Sequence, residues 1–345
     1  MMRLPKMNTS KILMISLLMA LFSVSGLNNL RASSDSDGEE KAAGGTDFIM
    51  HHITDSHEWH LITLGHTHVT IPLPVIIYDY EEGIKVHMSS AFVDADHNPI
   101  EVDGYMLEHG KLHSTHHAEF LDLSITKNVA SLIISIVVLS LVFITVAKRY
   151  KKGVSAPKGI QSFFEPIIVF VRDDIAKTNI GHKYERFMPY LLTLFFFILF
   201  NNLLGLTPGA ANLTGNIAVT MTLALITFII TNVNGKKAYW MHILWTPGVP
   251  LPVRPVILIV EIIGIFTKPI SLMLRLFASI TAGHIVVLSI VGLGFILQSV
   301  AVGVVGTLFS TVILIIEIVV ALIQAYVFTL FSSMYIGQAV DDGHH

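Results

Sequence analysis

The sequence predicts an all-α polytopic membrane protein with five transmembrane helices, the last two long, strongly tilted and folded back as an antiparallel hairpin. Three observations carry that prediction. Of 345 residues, 52% are hydrophobic and 14% charged, with a mean hydropathy of +0.66, where a soluble domain carries about 25% charged residues. Positive charge alternates with apolar runs along the chain, as the positive-inside rule requires of a multi-span protein. The stretch from Pro269 to Val340 holds only two permanently ionisable side chains, Arg275 and Glu317. Cysteine is absent, which excludes disulfides, Cys-ligated zinc and thiol catalysis. No Gly-rich phosphate loop or nucleophile elbow is present.

Taken in order, Met1 to Gly26 places Arg3, Lys6 and Lys11 before the apolar run Ile12 to Phe22 and the small residues Ser23 to Gly26, a secretory signal pattern with cleavage expected near Ser25. Residues 27–128 form a polar, extracytoplasmic region with 17 of the 25 acidic residues and twelve of the 17 histidines. Its first part, residues 27–45, reads as a disordered Ser, Asp, Glu and Gly-rich linker. Val69 to Tyr78 and Ile84 to Phe92 read as strands of a β-hairpin around Glu81-Glu82-Gly83. His57 and His60 could share a helical face, yet their spacing is not that of a zinc peptidase, so a solvated accessory surface is the preferred reading over a metal site.

Val129 to Ala147 is a first uncharged span, long enough to cross about 30 Å of hydrocarbon. Lys148-Arg149-Tyr150-Lys151-Lys152 marks its cytoplasmic end. Gly159 to Thr178 mixes phenylalanines and isoleucines with Glu165, Arg172, Asp173 and Asp174, and reads as an amphipathic helix lying at the inner surface. Met188 to Leu206 is the second span, closed by Thr207-Pro208-Gly209; Asn216 to Val233 is the third, followed by Lys236-Lys237. Ala238 to Pro255, with Trp240, Trp245 and four prolines, reads as an interfacial loop. Thirteen of the 22 Lys and Arg fall in segments that this topology places inside, along with a tail at residues 341–345.

An arginine near the middle of a span costs about 2.5–3.5 kcal/mol on insertion scales, so Arg275 needs a counter-charge, a polar cavity or a function. Helical spacing puts Ser271, Arg275, Ser279 and Ala282 on one face. Glu261 lies fourteen positions earlier, about 20 Å along the same helix. On the other long run, Glu317 and Gln324 share a face. Folding the two runs back near residue 300, where Gly292, Gly294 and Gln298 offer breakers, pairs His284 with Glu317 and Arg275 with Gln324 at nearly one register. Interhelical hydrogen bonding accounts for Gln324 and the serines, but poorly for an arginine, an imidazole and an acid at matched heights.

Glu261, the run Lys268-Pro269-Ile270-Ser271-Leu272-Met273-Leu274-Arg275-Leu276-Phe277, Ala282-Gly283, Glu317 and Gln324, together with the string from Phe200 to Gly209, resemble subunit a of the rotary F-type ATP synthase. The resemblance implies a non-catalytic stator channel with two offset half-channels that pass protons to and from carboxylates of a rotating c-ring. It further implies b-type peripheral stalk subunits and the lipid bilayer as partners, no cofactor, metal or nucleic acid, and the bacterial inner membrane as location. Residues 129–340 would be the proton-channel domain. Arg275 would face the ring carboxylate, His284 and Glu317 line the inlet, Glu261 the outlet, and Gln324 hold the guanidinium. Ser271, Ser279 and Ala282 would let the rotor pass closely, and Asn201 and Asn202 would either wet the inlet or bond between helices. Independently of the resemblance, the near-neutral titration of imidazole makes a proton-collecting surface of His51, His52, His57 and His60 near the channel mouth a further expectation. His284 stands where many members carry Glu, and Glu317 where those carry His, so the pair keeps one acid and one imidazole. Ser279 replaces a common asparagine. The competing class, a proton-coupled secondary transporter, should show paired repeats with broken helices, and no internal repeat is visible.

Overall fold

A helix that is apolar on every side has no face to give to water, so it is buried in protein or lipid. The helix α3 (Tyr184–Gly205) is of this kind and forms the spine of the core, with Leu191, Leu194 and Ile198 fully buried. The computed structural model describes residues 55–64, 67–80, 82–94, 99–108, 110–115, 119–150, 159–207, 211–245, 250, 252–297 and 300–341. The signal segment, the linker, His51, His52, the fold-back residue Gln298, Pro208, Gly209 and residues 342–345 lie outside them.

The membrane part is built from α1 (Lys127–Tyr150), α2 (Ile160–Phe170), α3, α4 (Ile217–Val233), α5 (Lys237–Leu244), α6 (Arg254–Ile296) and α7 (Val300–Val340). The amphipathic stretch is helical as expected, but it is not a separate surface helix. After Phe170 it widens into a π-helical segment, Val171–Lys177, then runs through Thr178–Ile180 and a 3-10 turn straight into α3. The loop expected over Ala238 to Pro255 contains most of α5 and the start of α6; Trp240 lies within α5 and Trp245 ends it, and the Arg254 guanidinium at the head of α6 lies 4.3 Å over the Trp245 ring. Four helical stretches among the described residues are long and apolar enough to cross a membrane, or five if α4 and α5, bent by 101° to one another, count as one.

The long pair starts fifteen residues earlier than Pro269, which sits inside α6. At 1.5 Å per residue the 43 residues of α6 and 41 of α7 reach about 64 and 61 Å, far beyond the bilayer core. The two run antiparallel: Lys268 meets Gln338, Ser279 meets Gln324, and Ile290 lies against Gly306. The end of α7 is docked tightly. Lys183 Nζ donates to the Val340 carbonyl at 3.0 Å and the Lys236 N–H to that of Ala339 at 2.9 Å, satisfying carbonyls that a helix end leaves open. Gly337 lets the backbone of Asn179 approach so closely that no Cβ would fit.

Before α1 stands a small β-domain: β1 (Glu58–Leu64) pairs with β2 (Thr67–Pro72), β3 (Pro74–Asp79) with β4 (Gly83–Met88), and β5 (Tyr105–Glu108) with β6 (Lys111–Ser114). A seventh strand, β7 (Phe120–Asp122), adds to β3. The predicted hairpin is therefore present as β3 and β4, but two boundaries shift. Pro72 and Pro74 break the first run at Leu73, because proline cannot donate to a ladder, and Ser89–Phe92 turns as a 3-10 helix. Alternation in β3 sends Val75 and Ile77 inward onto Phe92, Tyr105 and Leu112. Strand pairing continues past β7 as Leu123 N–H to Ile76 O and Ile125 N–H to Pro74 O. Then Lys127 N–H bonds Ser56 O and Asn128 N–H bonds the Asp55 carboxylate, so the sheet is joined to the first turn of α1.

Candidate functional site

Leu272, Leu276 and Ile280 of α6 point into the core at 2%, 0% and 6% exposure. Spaced by four, they define the buried side, and the other side follows: Ser271, Arg275 and Ala282 are exposed and Ser279 is half-buried. The face predicted from spacing is therefore an outer face of the chain. Of the most apolar stretch in Ile160–Gly205, 67% is buried within the chain, against 11% in Arg254–Leu293, so α6 presents most of its length to lipid or to another protein.

The Arg275 guanidinium makes no hydrogen bond or ion pair with any described residue. It lies over the ring of Phe331 on α7, 4.5 Å from the centroid. Gln324 does not hold it, contrary to the sequence expectation. Its Nε2 instead donates to Ser279 Oγ at 2.6 Å, and that hydroxyl donates to the Arg275 carbonyl at 2.8 Å. Ser279 is thus a bridge between α6 and α7 and not part of an open rotor face. The physical reason is a drift in register. Between the Lys268–Gln338 and Ile290–Gly306 contacts, α7 moves 32 residues (338 to 306) while α6 moves 22 (268 to 290). The equal stride of two ideal rods, which pairs 275 with 324, is not kept.

Glu317 comes close to its expected level. Its carboxyl occupies the space beside Gly283, the neighbour of His284, and is 8% exposed. His284 also feels the charge of Lys127 at the head of α1, which in turn feels Asp55, so the inlet candidates stand next to the root of the β-domain. Asn201 and Asn202 are buried at 1% and 0%. Asn201 donates to Phe197 O in its own helix and Asn202 reaches across to Ala321 O. Both keep a buried Oδ1 with no partner among the described residues, and the Thr214, Thr281 and Ser310 hydroxyls are likewise unpartnered among them. Buried acceptors and donors of this kind are normally met by water.

At the other end, Glu261 acts electrostatically on Tyr239 of α5 and on Lys268. Tyr239 and Lys268, with Thr227, Thr231, Asn232 and Tyr335, line a small, partly open cavity of about 20 Å³ between α4, α5, α6 and α7. A hydroxyl chain, Tyr190 to Thr227 to Ser332, lies beside it at 2.6 and 3.4 Å. None of these cavity residues was singled out from the sequence as part of a site. Single hydroxyls in apolar helices carry no periodic signal, and only their convergence from four helices reveals them.

The histidine surface needs correction. His57 precedes strand β1 and not a helix, and it is 4% exposed. Its Nδ1 bonds Gly110 O at 2.9 Å and its Nε2 lies 3.3 Å from Asp122. Burial depresses its pKa, but Asp122 and the Gly110 carbonyl outweigh burial and leave it above the ordinary imidazole value. Asp122 is likewise disfavoured by burial, yet held below the usual carboxylate range by His57 and Ser124. His57 ties the β-domain to the segment leading into α1.

The family model described as ATP synthase A chain matches residues 129–337, and one described as a domain of unknown function (DUF8433) matches residues 48–130. An ATP synthase subunit a of Chlorobium phaeobacteroides strain BS1 is 38% identical over 317 residues, covering 89% of this chain and 80% of that protein. Those of Chloroherpeton thalassium and Myxococcus xanthus are 45% and 44% identical, over 65% of this chain and 69% and 76% of their own lengths. With 60% of the chain under one family model and a relative aligned along nearly all of it, the chain belongs to the ATP synthase A chain family, subunit a of the F-type rotary ATP synthase.

Proposed function

We propose that this chain is the stator channel that couples proton flow to rotation, through two offset half-channels meeting a c-ring at Arg275, beside b-type stalk subunits in a bacterial inner membrane. One observation carries the reading: in a membrane-length helix, an arginine sits on the chain's exposed face with no acid of its own among the described residues. A guanidinium stays charged at any working pH. It therefore repels a passing proton and favours the ionised form of a carboxylate brought opposite by another protein. A proton falling through 100 mV releases about 2.3 kcal/mol, which does work only if the direct path is closed.

In this reading five crossings place the Lys127 end of α1 outside and the Val340 end of α7 in the cytoplasm. A proton enters past His284 and Glu317, and the orphaned oxygens of Asn201, Asn202, Thr214, Thr281 and Ser310 support a hydrated inlet. It loads a ring carboxylate, travels round through lipid, and leaves on the far side of Arg275 toward Glu261 and the cavity bounded by Thr227, Thr231 and Tyr239. Ser271 and Ala282 keep the passing surface low. A secondary transporter would have to place such an arginine against its own acids or substrate, and family membership gives that alternative no support.

Cysteine at position 271 tests the reading directly. Ser271→Cys should crosslink under mild oxidation to a cysteine placed beside the ring carboxylate, whereas Leu272→Cys, one residue away but buried, should not. Equal crosslinking from both, or none from either, would count against a rotor-facing α6.

A further inference from the structure

We propose that Phe331 is the positioning residue of the Arg275 guanidinium, a role that rests on the stator reading above. A cation stacks on the negative face of an aromatic ring when it lies within about 6 Å of the centroid, and Arg275 lies at 4.5 Å. The ring itself is firmly placed. Phe331 packs against the main core, and its centroid is 6.1 Å from that of Tyr335, one turn along α7. Tyr335 carries a second cation, Lys268, at 5.2 Å. The two rungs differ in one respect: Lys268 also donates to Gln338 Oε1 at 3.3 Å, while Arg275 has no acceptor among the described residues.

The difference suits the task. A carboxylate or amide holding the guanidinium would consume its N–H donors, and a carboxylate would also cancel its charge. An aromatic face fixes the plane of the group through its quadrupole and leaves all five donors and the full charge for an acid arriving from outside. Gln324 then acts one step back, securing the backbone of the same turn through Ser279. Phe331 is half-exposed and lies seven residues beyond Gln324, so on spacing alone it is one of many apolar residues in α7.

The test uses the whole complex in liposomes, with position 331 carrying mono-, di- and trifluorophenylalanine, which keep the ring's shape and drain its face of negative charge stepwise. ATP synthesis driven by an imposed proton gradient should fall with each fluorine, reaching about a two- to fivefold loss, the range an exposed cation–π contact converts to. Phe331→Tyr should stay near the parent and Phe331→Leu should fall at least as far as the trifluoro form. A flat fluorine series beside an inactive Arg275→Ala complex overturns the assignment of Phe331 alone, since it would show that only the ring's bulk matters. Retained synthesis in Arg275→Ala overturns the stator reading and this one with it. Co-purification of rotor and stator subunits from every variant confirms that assembly is not what is being measured.

Discussion

Gly283→Ala is the most discriminating single change in the long hairpin. A Cβ there would stand 3.0 Å from Glu317 Cδ and 3.2 Å from Cγ, and nearer still to Oε1. Carbon atoms rest at about 3.5–4.0 Å, so the carboxyl group must retreat by about 1 Å, and the strain of overpacking is about 1–3 kcal/mol. Only a flexible side-chain end has to move, so the helices stay packed and the complex assembles. On the proposed reading the consequence falls on proton uptake, where a misplacement of about 1 Å costs up to about 100-fold. We expect a drop of about 10- to 100-fold in gradient-driven ATP synthesis. Glu317→Asp withdraws the carboxyl by one carbon–carbon bond, about 1.5 Å, and makes room. Gly283→Ala combined with Glu317→Asp should therefore be no slower than Glu317→Asp alone, a coupling of about 1 kcal/mol or more. If the two losses multiply in the double variant, or if Gly283→Ala keeps more than about half the parent rate, the placement of Glu317 against Gly283 is refuted.

Other expectations follow from the same geometry. Arg275→Ala should abolish ATP-driven proton pumping while leaving the assembled head able to hydrolyse ATP; retained pumping removes the arginine from its role. Exchanging His284 and Glu317 should be tolerated better than either alanine change, and equal damage from all three argues against a functional pair. Gly337→Ala drives a Cβ onto the Asn179 backbone, which cannot rotate away, and should cost about 1–3 kcal/mol in a detergent melt. Gly264→Ala, whose Cβ meets nothing, should be neutral or gain about 0.5–1 kcal/mol. In the β-domain, a raised His57 pKa means that its contribution is complete below about pH 6.5 and is lost as pH rises through the raised value; Asp122, being lowered, loses its share only as pH falls through its depressed value. Amide protection of β7 should therefore weaken on moving to alkaline pH, and His57→Leu should flatten that slope. An unchanged slope would show that another group controls it.

Charge segregation and apolar length made the membrane part legible in the sequence, because lipid leaves a chain few choices: backbone groups must be satisfied within helices. The common face of Ser271, Arg275 and Ala282 was legible too, from the period of 3.6; its exposure comes from the inward packing of Leu272, Leu276 and Ile280. What spacing could not give was the partner of Arg275, since register was drawn between straight rods and the real contact line advances faster on α7 than on α6. The helix runs on through Pro269 to Arg254, as the placing of Glu261 and Arg275 on one helix required, and the packing of Leu272 and Leu276 holds it across the proline. The β-domain was half visible. Its central hairpin follows from alternation and Gly83, whereas β5, β6 and β7 are only three or four residues long, and β7 takes its place from pairing with β3 across 45 positions, from Ile77 to Asp122.

The sparse burial of α6 bears on the life of the chain before it joins a complex. A lone copy in the bilayer would hold a guanidinium with no acid of its own among the described residues, at about 2.5–3.5 kcal/mol on insertion scales, together with a long apolar flank that the described residues leave largely uncovered. On the proposed reading, a rotor docked against this flank would cover the apolar face and bring a carboxylate to the cation, so Arg275 would also report whether the machine around it has been built.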